Sequence, residues 1–167
     1  AYADRSHYLG DPDFVSIPTE QLLSRAYLEQ KMASFDPKRA TASEHIAHGP
    51  LIGHESDETT HYSIVDPFGN AISVTTTING AYGSKLFDPE LGFFYNNEMD
   101  DFSAKPGTPN MFGLIGGTAN AIAPGKRMLS SMTPTIVTKQ GELWQVLGSP
   151  GGSTIITTVL QIILNTH

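Results

Sequence analysis

The sequence contains no cysteine, which excludes disulfide bonds, thiolate nucleophiles and cysteine-ligated zinc from these 167 residues. Positive charge is also scarce, because 10 Lys and Arg residues stand against 17 Asp and Glu and the formal net charge is -7. The densest basic spots are two pairs, Lys38–Arg39 and Lys126–Arg127. A broad nucleic-acid-binding face needs more clustered positive charge, so nucleic acid is not an expected partner.

Long apolar runs are missing as well. The most apolar stretch, residues 155–164, is short and is interrupted by Thr157, Thr158 and Gln161, so it is not expected to span a bilayer. The first residues lack the basic, apolar and small-residue order of a signal peptide, and no targeting signal is expected in this sequence. A hydrophobic content of 39% is typical of a globular domain with a core.

The first third of the chain contains one predicted helix and a polar connection. Apolar residues recur at helical spacing over Thr19–Phe35, and Asp36–Pro37 follow as a stop signal. Residues 39–58 show little periodicity and predict an extended connection. This segment contains His45 and His48, but two potential ligands without a third do not define a metal site, and no metal is predicted.

Strand signals dominate the rest of the chain. Two β-hairpins are predicted, from residues 62–65 with 71–78 and from 133–138 with 142–147. The alternation along the second strand predicts that the face carrying Ile72 and Val74 is buried. The Gly- and Pro-rich residues 103–125 predict a long functional loop, and the apolar residues 154–165 predict a buried helix. We expect a chain of the α+β class.

A glycine-rich turn joins the second hairpin to the last predicted helix, with the sequence Gly148-Ser149-Pro150-Gly151-Gly152. The first N–H groups of a helix lack intrahelical partners and carry partial positive charge, which suits an oxyanion hole. No lysine follows the glycines, so the turn is not a nucleotide-binding P-loop. By itself the pattern fits an ordinary tight turn equally well.

Three other polar segments also have more than one interpretation. Residues 58–63 form a threonine-containing segment that leads into a strand, and Ser130–Ser131 resemble ordinary loop or cap residues. Residues 96–102 hold three carboxylates and two amides, which suit a hard cation, a substrate ammonium or a solvated turn. The acidic segment lacks the spacing of a calcium loop.

Four segments, taken in this order, resemble the γ-glutamyltransferase family: residues 59–63, 96–103, 129–135 and 148–153. Residues 1–12 also resemble the end of the family's large subunit, so the resemblance covers essentially the whole chain. It implies an N-terminal nucleophile hydrolase fold, a four-layer αββα sandwich, present here in part. We expect residues 1–58 to be the end of the large-subunit region with its linker, and residues 59–167 to be the first part of the small catalytic subunit.

The resemblance implies that the chain cuts itself between Glu58 and Thr59 and that Thr59 is the catalytic nucleophile. A threonine hydroxyl needs a base near neutral pH, and cleavage would free the α-amino group of Thr59. The unperturbed pKa of such a group, roughly 7.7–8.0, suits proton transfer. Thr77 is expected to orient Thr59.

The remaining site residues are also assigned by the resemblance. We expect the γ-glutamyl group to be held by Asn79, Glu98, Asp101, Ser130 and Ser131, and the oxyanion by the N–H groups of Gly151 and Gly152. Glu98 and Asp101 suit the substrate ammonium by charge, and the two serines suit its α-carboxylate. Residues 106–117 match the lid of the pocket.

The implied reaction is a ping-pong γ-glutamyl transfer from glutathione or another γ-glutamyl donor to an acceptor amino acid, a peptide or water. No cofactor is implied. The expected partner is the remainder of both subunits, as a heterodimer, in a periplasmic or extracellular location. Because the family's substrate-clamping arginine and later strands lie outside this sequence, we expect the isolated chain to be inactive. Three alternatives stay open: a glutaryl-cephalosporin-type acylase, a capsule poly-γ-glutamate transferase and a non-catalytic interaction fragment.

Overall fold

The computed structural model describes residues 1–41, 58–111 and 113–166. These residues form two compact units. The first unit contains residues 1–41 and 99–129, and the second contains residues 58–98 and 130–166. Most of the predicted polar connection, including His45 and His48, lies outside the described residues.

The first unit contains three short helices, α1 (Tyr2–Tyr8), α2 (Thr19–Leu22) and α3 (Arg25–Met32). The prediction of one continuous helix over Thr19–Phe35 is therefore wrong. The break lies at Ser24, whose hydroxyl accepts a hydrogen bond from the backbone N–H of Tyr27 at 3.3 Å. A serine in this position caps a new helix more readily than it continues an old one.

An ion pair between distant parts of the sequence closes the first unit. The Asp11 residue is only 4% exposed, and its carboxylate accepts bonds from Arg127 Nη2 at 2.6 Å and Nε at 3.1 Å. The backbone N–H of Arg127 donates to the same carboxylate at 2.8 Å. Hydrogen bonds from the Arg127 side chain, and then from its backbone, hold the pKa of Asp11 well below its usual range. One side chain thus fixes both the backbone and the guanidinium of a residue 116 positions away.

Two hairpins form the second unit, together with a minor pair, β3 (Phe87–Asp88) with β4 (Phe93–Phe94). The larger hairpins pair β1 (Thr60–Val65) with β2 (Ala71–Thr76), and β5 (Thr135–Lys139) with β6 (Glu142–Leu147). The two predicted hairpins are confirmed. In the first turn, the Asp66 carboxylate accepts bonds from the N–H groups of Phe68 and Asn70, both at 2.9 Å. This local bonding explains why the chain reverses there.

The predicted C-terminal helix is present as α4 (Ile155–Thr166), but it is buried on one face only and not all round as predicted. Its inner face supplies Ile155 and Val159, which pack with Leu147 in the core of this unit. Its outer face is apolar but open, since Leu160 and Leu164 are more than half exposed. None of the helices in the described ranges is long and apolar enough to cross a membrane.

The buried face of β2 differs from the prediction. Ile72 is 49% exposed, whereas its neighbour Ser73 is half-buried and donates its hydroxyl to the carbonyl of Leu147 at 3.0 Å. The polar face of the first hairpin therefore packs against the end of β6. Alternation reveals that a strand has two different faces, but not which face the neighbouring element covers.

Replacement of Asp11 by Asn is expected to destabilise the natural full-length protein at pH 7, because the Arg127 guanidinium would lose the buried one of its two charged partners. The native pKa of Asp11 is depressed, so its stabilising effect is complete above the unfolded value near pH 4 and declines as pH falls further. The difference in denaturant midpoint between wild type and Asp11→Asn should therefore shrink below about pH 4.

Asp13→Asn is the matched control, since Asp13 also contacts Arg127 but its side chain is 75% exposed. We expect this control to shift the midpoint little at any pH. An equal effect of the two substitutions at pH 7 would contradict the assigned role of Asp11.

Candidate active site

Thr59 lies directly before β1 and is only 8% exposed, while the preceding Glu58 is exposed. The antiparallel register pairs Thr60 with Thr76. Continued by one residue, the same register places Thr77 opposite Thr59. Thr59 and Thr77 therefore flank the last pair of the ladder, each one residue outside its strand.

The segment after β2 is fixed by a short chain of hydrogen bonds. The Thr77 hydroxyl accepts from the backbone N–H of Asn79 at 2.9 Å. Asn79 is buried at a positive φ of 76°, which asparagine tolerates better than most residues, and its amide donates to the carbonyl of Asn97 at 3.2 Å. The Asn97 side chain in turn accepts from the N–H of Gly80 at 2.8 Å. These hydrogen bonds connect the predicted site residues Thr77 and Asn79 to Asn97, which directly precedes Glu98.

The acidic segment forms a 3₁₀ turn over Glu98–Asp101. Its first residue, Glu98, is half-buried and donates its N–H to the side chain of Asn96 at 3.0 Å. Asp101, at the other end, is half-buried and belongs to the first unit. Burial lowers the pKa of Arg5 in that unit, and the nearby Asp101 carboxylate partly opposes the shift. The Asp101 carboxylate therefore lies near the Arg5 guanidinium.

The backbone of the glycine-rich turn favours glycine at two positions. Gly151 and Gly152 have φ values of 124° and 51°, a region that residues with a side chain rarely adopt. The carbonyl of Gly151 accepts from the N–H of Thr154 at 2.9 Å and from its hydroxyl at 2.8 Å. These bonds begin a 3₁₀ turn that continues into α4. The first N–H groups of such a turn have no partner within it and suit a developing oxyanion.

The two predicted serines lie before β5. Ser130 is exposed, and its hydroxyl accepts from the N–H of Met132 at 3.1 Å. Ser131 is half-buried, and its carbonyl accepts from the hydroxyl of Thr133 at 2.9 Å. This local bonding holds the dipeptide in a turn, an arrangement that can present hydroxyl donors to a carboxylate.

Sequence reasoning missed the role of His61. Its Nδ1 lies 2.8 Å from the hydroxyl of Thr75, and its Nε2 lies 3.0 Å from that of Ser63. The ring also packs on Gly148, where an added Cβ would lie 2.3 Å from ring atoms. This contact holds the start of the glycine-rich turn against β1. The signal in the sequence is the run of polar residues on one face of β1 and β2.

Within the described ranges, no group of three or more His, Asp or Glu residues could hold a metal ion. Within the second unit, the groups that suit acyl transfer are the buried Thr59 before β1, the Thr77 hydroxyl after β2 and a glycine turn that begins a helix. The described residues therefore define an α+β chain with a threonine-centred candidate acyl-transfer site.

The family model described as Gamma-glutamyltranspeptidase matches residues 1–167, and the chain belongs to this family. It is 56% identical over 165 residues to the glutathione hydrolase proenzyme of Escherichia coli K12, covering 99% of this chain and 28% of that protein. It is 49% identical over 166 residues to the corresponding proenzyme of Pseudomonas aeruginosa, with 99% and 29% coverage. The chain thus spans less than a third of the length of these relatives.

Solved structures give the same family. A variant of the Helicobacter pylori γ-glutamyltranspeptidase aligns with a TM-score of 0.63 and 63% identity over 64% of this chain and 57% of that one. The Pseudomonas nitroreducens γ-glutamyltranspeptidase complexed with L-DON aligns with a TM-score of 0.63 and 56% identity over 65% and 56% of the two chains. The α+β character of this chain therefore agrees with its structural neighbours.

The close packing at Gly148 gives a stability prediction. Gly148→Ala would force a methyl group against the His61 ring, and overpacking of this kind typically costs about 1–3 kcal/mol. Adding His61→Ala should relieve the clash, so the double variant should lose less stability than the sum of the two single variants. Urea unfolding of the four proteins measures this coupling. Strict additivity would show that the ring and Gly148 do not press on each other.

Proposed function

We propose that this chain is the nucleophile-bearing part of an autocleaving γ-glutamyltransferase, which transfers or hydrolyses the γ-glutamyl group of glutathione and related compounds. The observation that carries the proposal is the buried Thr59 directly before β1, with Thr77 directly after Thr76, the register partner of Thr60. Membership in the γ-glutamyltranspeptidase family supports it, as do relatives that are called glutathione hydrolase proenzymes.

The first step in the proposal is cleavage of the Glu58–Thr59 bond. The Thr59 hydroxyl oxygen attacks the Glu58 carbonyl carbon, the C–N bond breaks, and the proton passes to the departing amine. Water then hydrolyses the resulting ester, which restores the hydroxyl and leaves a new carboxylate on Glu58. Burial of Thr59 favours this step, because attack and breakdown proceed within a fixed backbone geometry.

The second step uses the same hydroxyl on substrate. The freed α-amino group of Thr59 takes the hydroxyl proton as the oxygen attacks the γ-amide carbon of the donor, and the amine portion leaves with a proton. The N–H groups of Gly151 and Gly152 stabilise the tetrahedral oxyanion. Removal of one such donor typically costs about 10²–10³ in rate. Water or an acceptor amine then takes the γ-glutamyl group from the threonine ester.

Substrate recognition in the proposal depends on charge. Glu98 and Asp101 bind the α-ammonium of the γ-glutamyl group, Asn79 donates its amide, and Ser130 and Ser131 bind the α-carboxylate. Local turn bonds at Glu98, Ser130 and Ser131 support such roles, because they hold each residue in a defined turn. This set of groups favours a donor that carries an α-amino group.

The proposed full fold is the four-layer αββα sandwich, with the rest of both subunits completing it as a heterodimer. The exposed apolar residues support this, because soluble surfaces rarely keep such patches uncovered. Tyr62, Ile64 and Ile72 on the first hairpin are each about half exposed, as is Leu160 on α4. Cleavage between residues 58 and 59 would make them termini of the two subunits. We propose a periplasmic or extracellular location for this enzyme.

An acylase is the second candidate, because the chain is also 37% identical over 165 residues to the Acylase ACY 1 proenzyme of Pseudomonas sp. V22, covering 27% of that protein. The pair Glu98 and Asp101 disfavours it, since a glutaryl group has no ammonium to bind. A poly-γ-glutamate transferase shares the γ-glutamyl recognition and differs in its donor. A non-catalytic chain is disfavoured by the retention of Thr59, Thr77 and both glycines.

Self-cleavage is the direct test of the nucleophile. We expect the natural full-length protein, incubated at neutral pH, to split into two masses at the Glu58–Thr59 bond, and Thr59→Ala to remain whole. Thr60→Ala makes the same change at the exposed next residue and should still cleave. Intact-mass spectrometry distinguishes the three proteins. Cleavage of Thr59→Ala at the same bond would rule out Thr59 as the attacking group.

The donor preference tests the recognition groups. Wild type should turn over γ-glutamyl-p-nitroanilide faster than glutaryl-p-nitroanilide. Asp101→Asn should lower kcat/KM for the γ-glutamyl substrate by at least about tenfold, because a carboxylate facing the ammonium is lost. Asp13→Asn, the same change at an exposed residue, should leave this ratio unchanged. Equal turnover of both substrates by wild type would favour the acylase instead.

A further inference from the structure

Asn120 is a buried amide in the first unit that the proposed chemistry does not use. It is only 4% exposed and lies at the end of a 3₁₀ turn, Thr118–Asn120. Its side-chain nitrogen donates to the backbone carbonyl of Asp101 at 2.7 Å. Its side-chain oxygen accepts from the backbone N–H of Leu129 at 3.1 Å. One side chain therefore bridges two segments that are otherwise separate in the sequence.

The partners of this bridge are informative. Asp101 is a proposed ammonium-binding residue, and Leu129 is joined by a peptide bond to Ser130, a proposed carboxylate-binding residue. Because both contacts are to backbone atoms, Asn120 fixes the main chain at Asp101 and at Leu129, the residue before Ser130. Buried amide hydrogen bonds of this kind are costly to break, since the polar groups left behind have no water to bind.

The Asn120 turn is itself held on both sides. The Lys126 ammonium donates to the carbonyl of Ala119 at 2.7 Å and to that of Ala121 at 2.9 Å. The carbonyl of Asn120 accepts from the N–H of Ser103 at 2.9 Å. At Gly10, an added Cβ would lie 2.2 Å from the carbonyl oxygen of Ala119, so the chain passes too close for any side chain. These contacts fix the backbone of the turn that carries the Asn120 side chain.

We propose that Asn120 is a positioning residue for γ-glutamyl recognition, acting through the backbone of Asp101 and of Leu129. The inference rests on the proposed function, because it assigns Asn120 to the groups that hold the γ-glutamyl amino acid portion. It does not touch the reacting atoms. Its loss therefore weakens binding of the amino acid portion and leaves self-cleavage and the chemical step nearly intact.

Asn120→Asp is the sharpest variant. It keeps the shape of the side chain and its acceptor towards Leu129, but a carboxylate cannot donate to the carbonyl of Asp101. Asn120→Ala removes both bonds. Asn165→Asp on the exposed surface of α4 makes the same chemical change away from this region and serves as the matched control.

The measurement is competitive inhibition by free L-glutamate in the natural full-length protein after self-cleavage, with γ-glutamyl-p-nitroanilide as reporter. We expect the Ki for L-glutamate to rise about tenfold in Asn120→Asp and further in Asn120→Ala. The kcat per cleaved molecule should change less than about threefold, and the Asn165→Asp control should match wild type. A purely structural role would lower the cleaved fraction without changing Ki.

An unchanged Ki in cleaved Asn120→Asp would overturn this inference while leaving the proposed function in place. So would a Ki that rises equally for glutarate, which lacks the amino group that Asp101 is proposed to bind. If wild type neither turns over γ-glutamyl-p-nitroanilide nor binds L-glutamate, the proposed function itself fails and the role of Asn120 fails with it. If Asn120→Ala does not fold, the isosteric Asn120→Asp still decides the question.

Discussion

The second unit depends on the packing of the polar face of the β1–β2 hairpin against the end of β6. The contact is made by Ser73, which donates to the carbonyl of Leu147, and by His61, whose ring lies on Gly148. Burial of a polar side chain costs free energy unless its hydrogen bonds are satisfied. Here the hydroxyls of Thr75 and Ser63 lie within hydrogen-bond distance of the two ring nitrogens of His61. The same contact that joins the hairpins therefore brings the glycine-rich turn to the strand that begins after Thr59.

In the first unit, buried side chains form hydrogen bonds to the backbone of distant segments and so hold those segments in place. The Asp11 carboxylate accepts from both the guanidinium and the backbone N–H of Arg127, and Asn120 bonds the backbone at Asp101 and Leu129. Loops without regular secondary structure need such bonds, because their buried N–H and C=O groups have no ladder to satisfy them. The acidic turn is consequently fixed at one end by a buried amide rather than by a strand.

Much of the local structure could be predicted from the sequence, and the reasons for the exceptions differ. Both hairpins and α4 follow from period-2 and apolar patterns with clear turn residues. The covered face of β2 could not be predicted, because the alternation of apolar and polar residues does not indicate which face the end of β6 packs against. The helix break at Ser24 could not be predicted, because the helical spacing of apolar residues continues on both sides of it. The partners of Asp11 and Asn120 were invisible because they lie 116, 19 and 9 positions away.

The site residues fall into two groups, those that belong to a sequence motif and those that act through contacts with other segments. Thr59, Thr77 and the glycine pair could be named from the family resemblance, and their local geometry suits the assigned roles without testing them. His61 and Asn120 could not be named, because each acts on backbone or on a neighbouring element rather than through a motif. Residues that support a site are specified by contacts, and contacts of high sequence separation leave little trace in a single sequence.

The hairpin register also explains how one threonine can serve two reactions in the proposed mechanism. The backbone pairs of the hairpin begin with Thr60 and Thr76, so cleavage of the bond before Thr59 leaves every one of those pairs intact. Before cleavage the nitrogen of Thr59 is an amide and cannot accept a proton; afterwards it is an amine with a pKa near neutrality. Cleavage therefore changes the base available to the hydroxyl while the sheet keeps the hydroxyl in place. This change of base is possible because the backbone pairs that hold β1 all lie after the cleaved bond and none of them spans it.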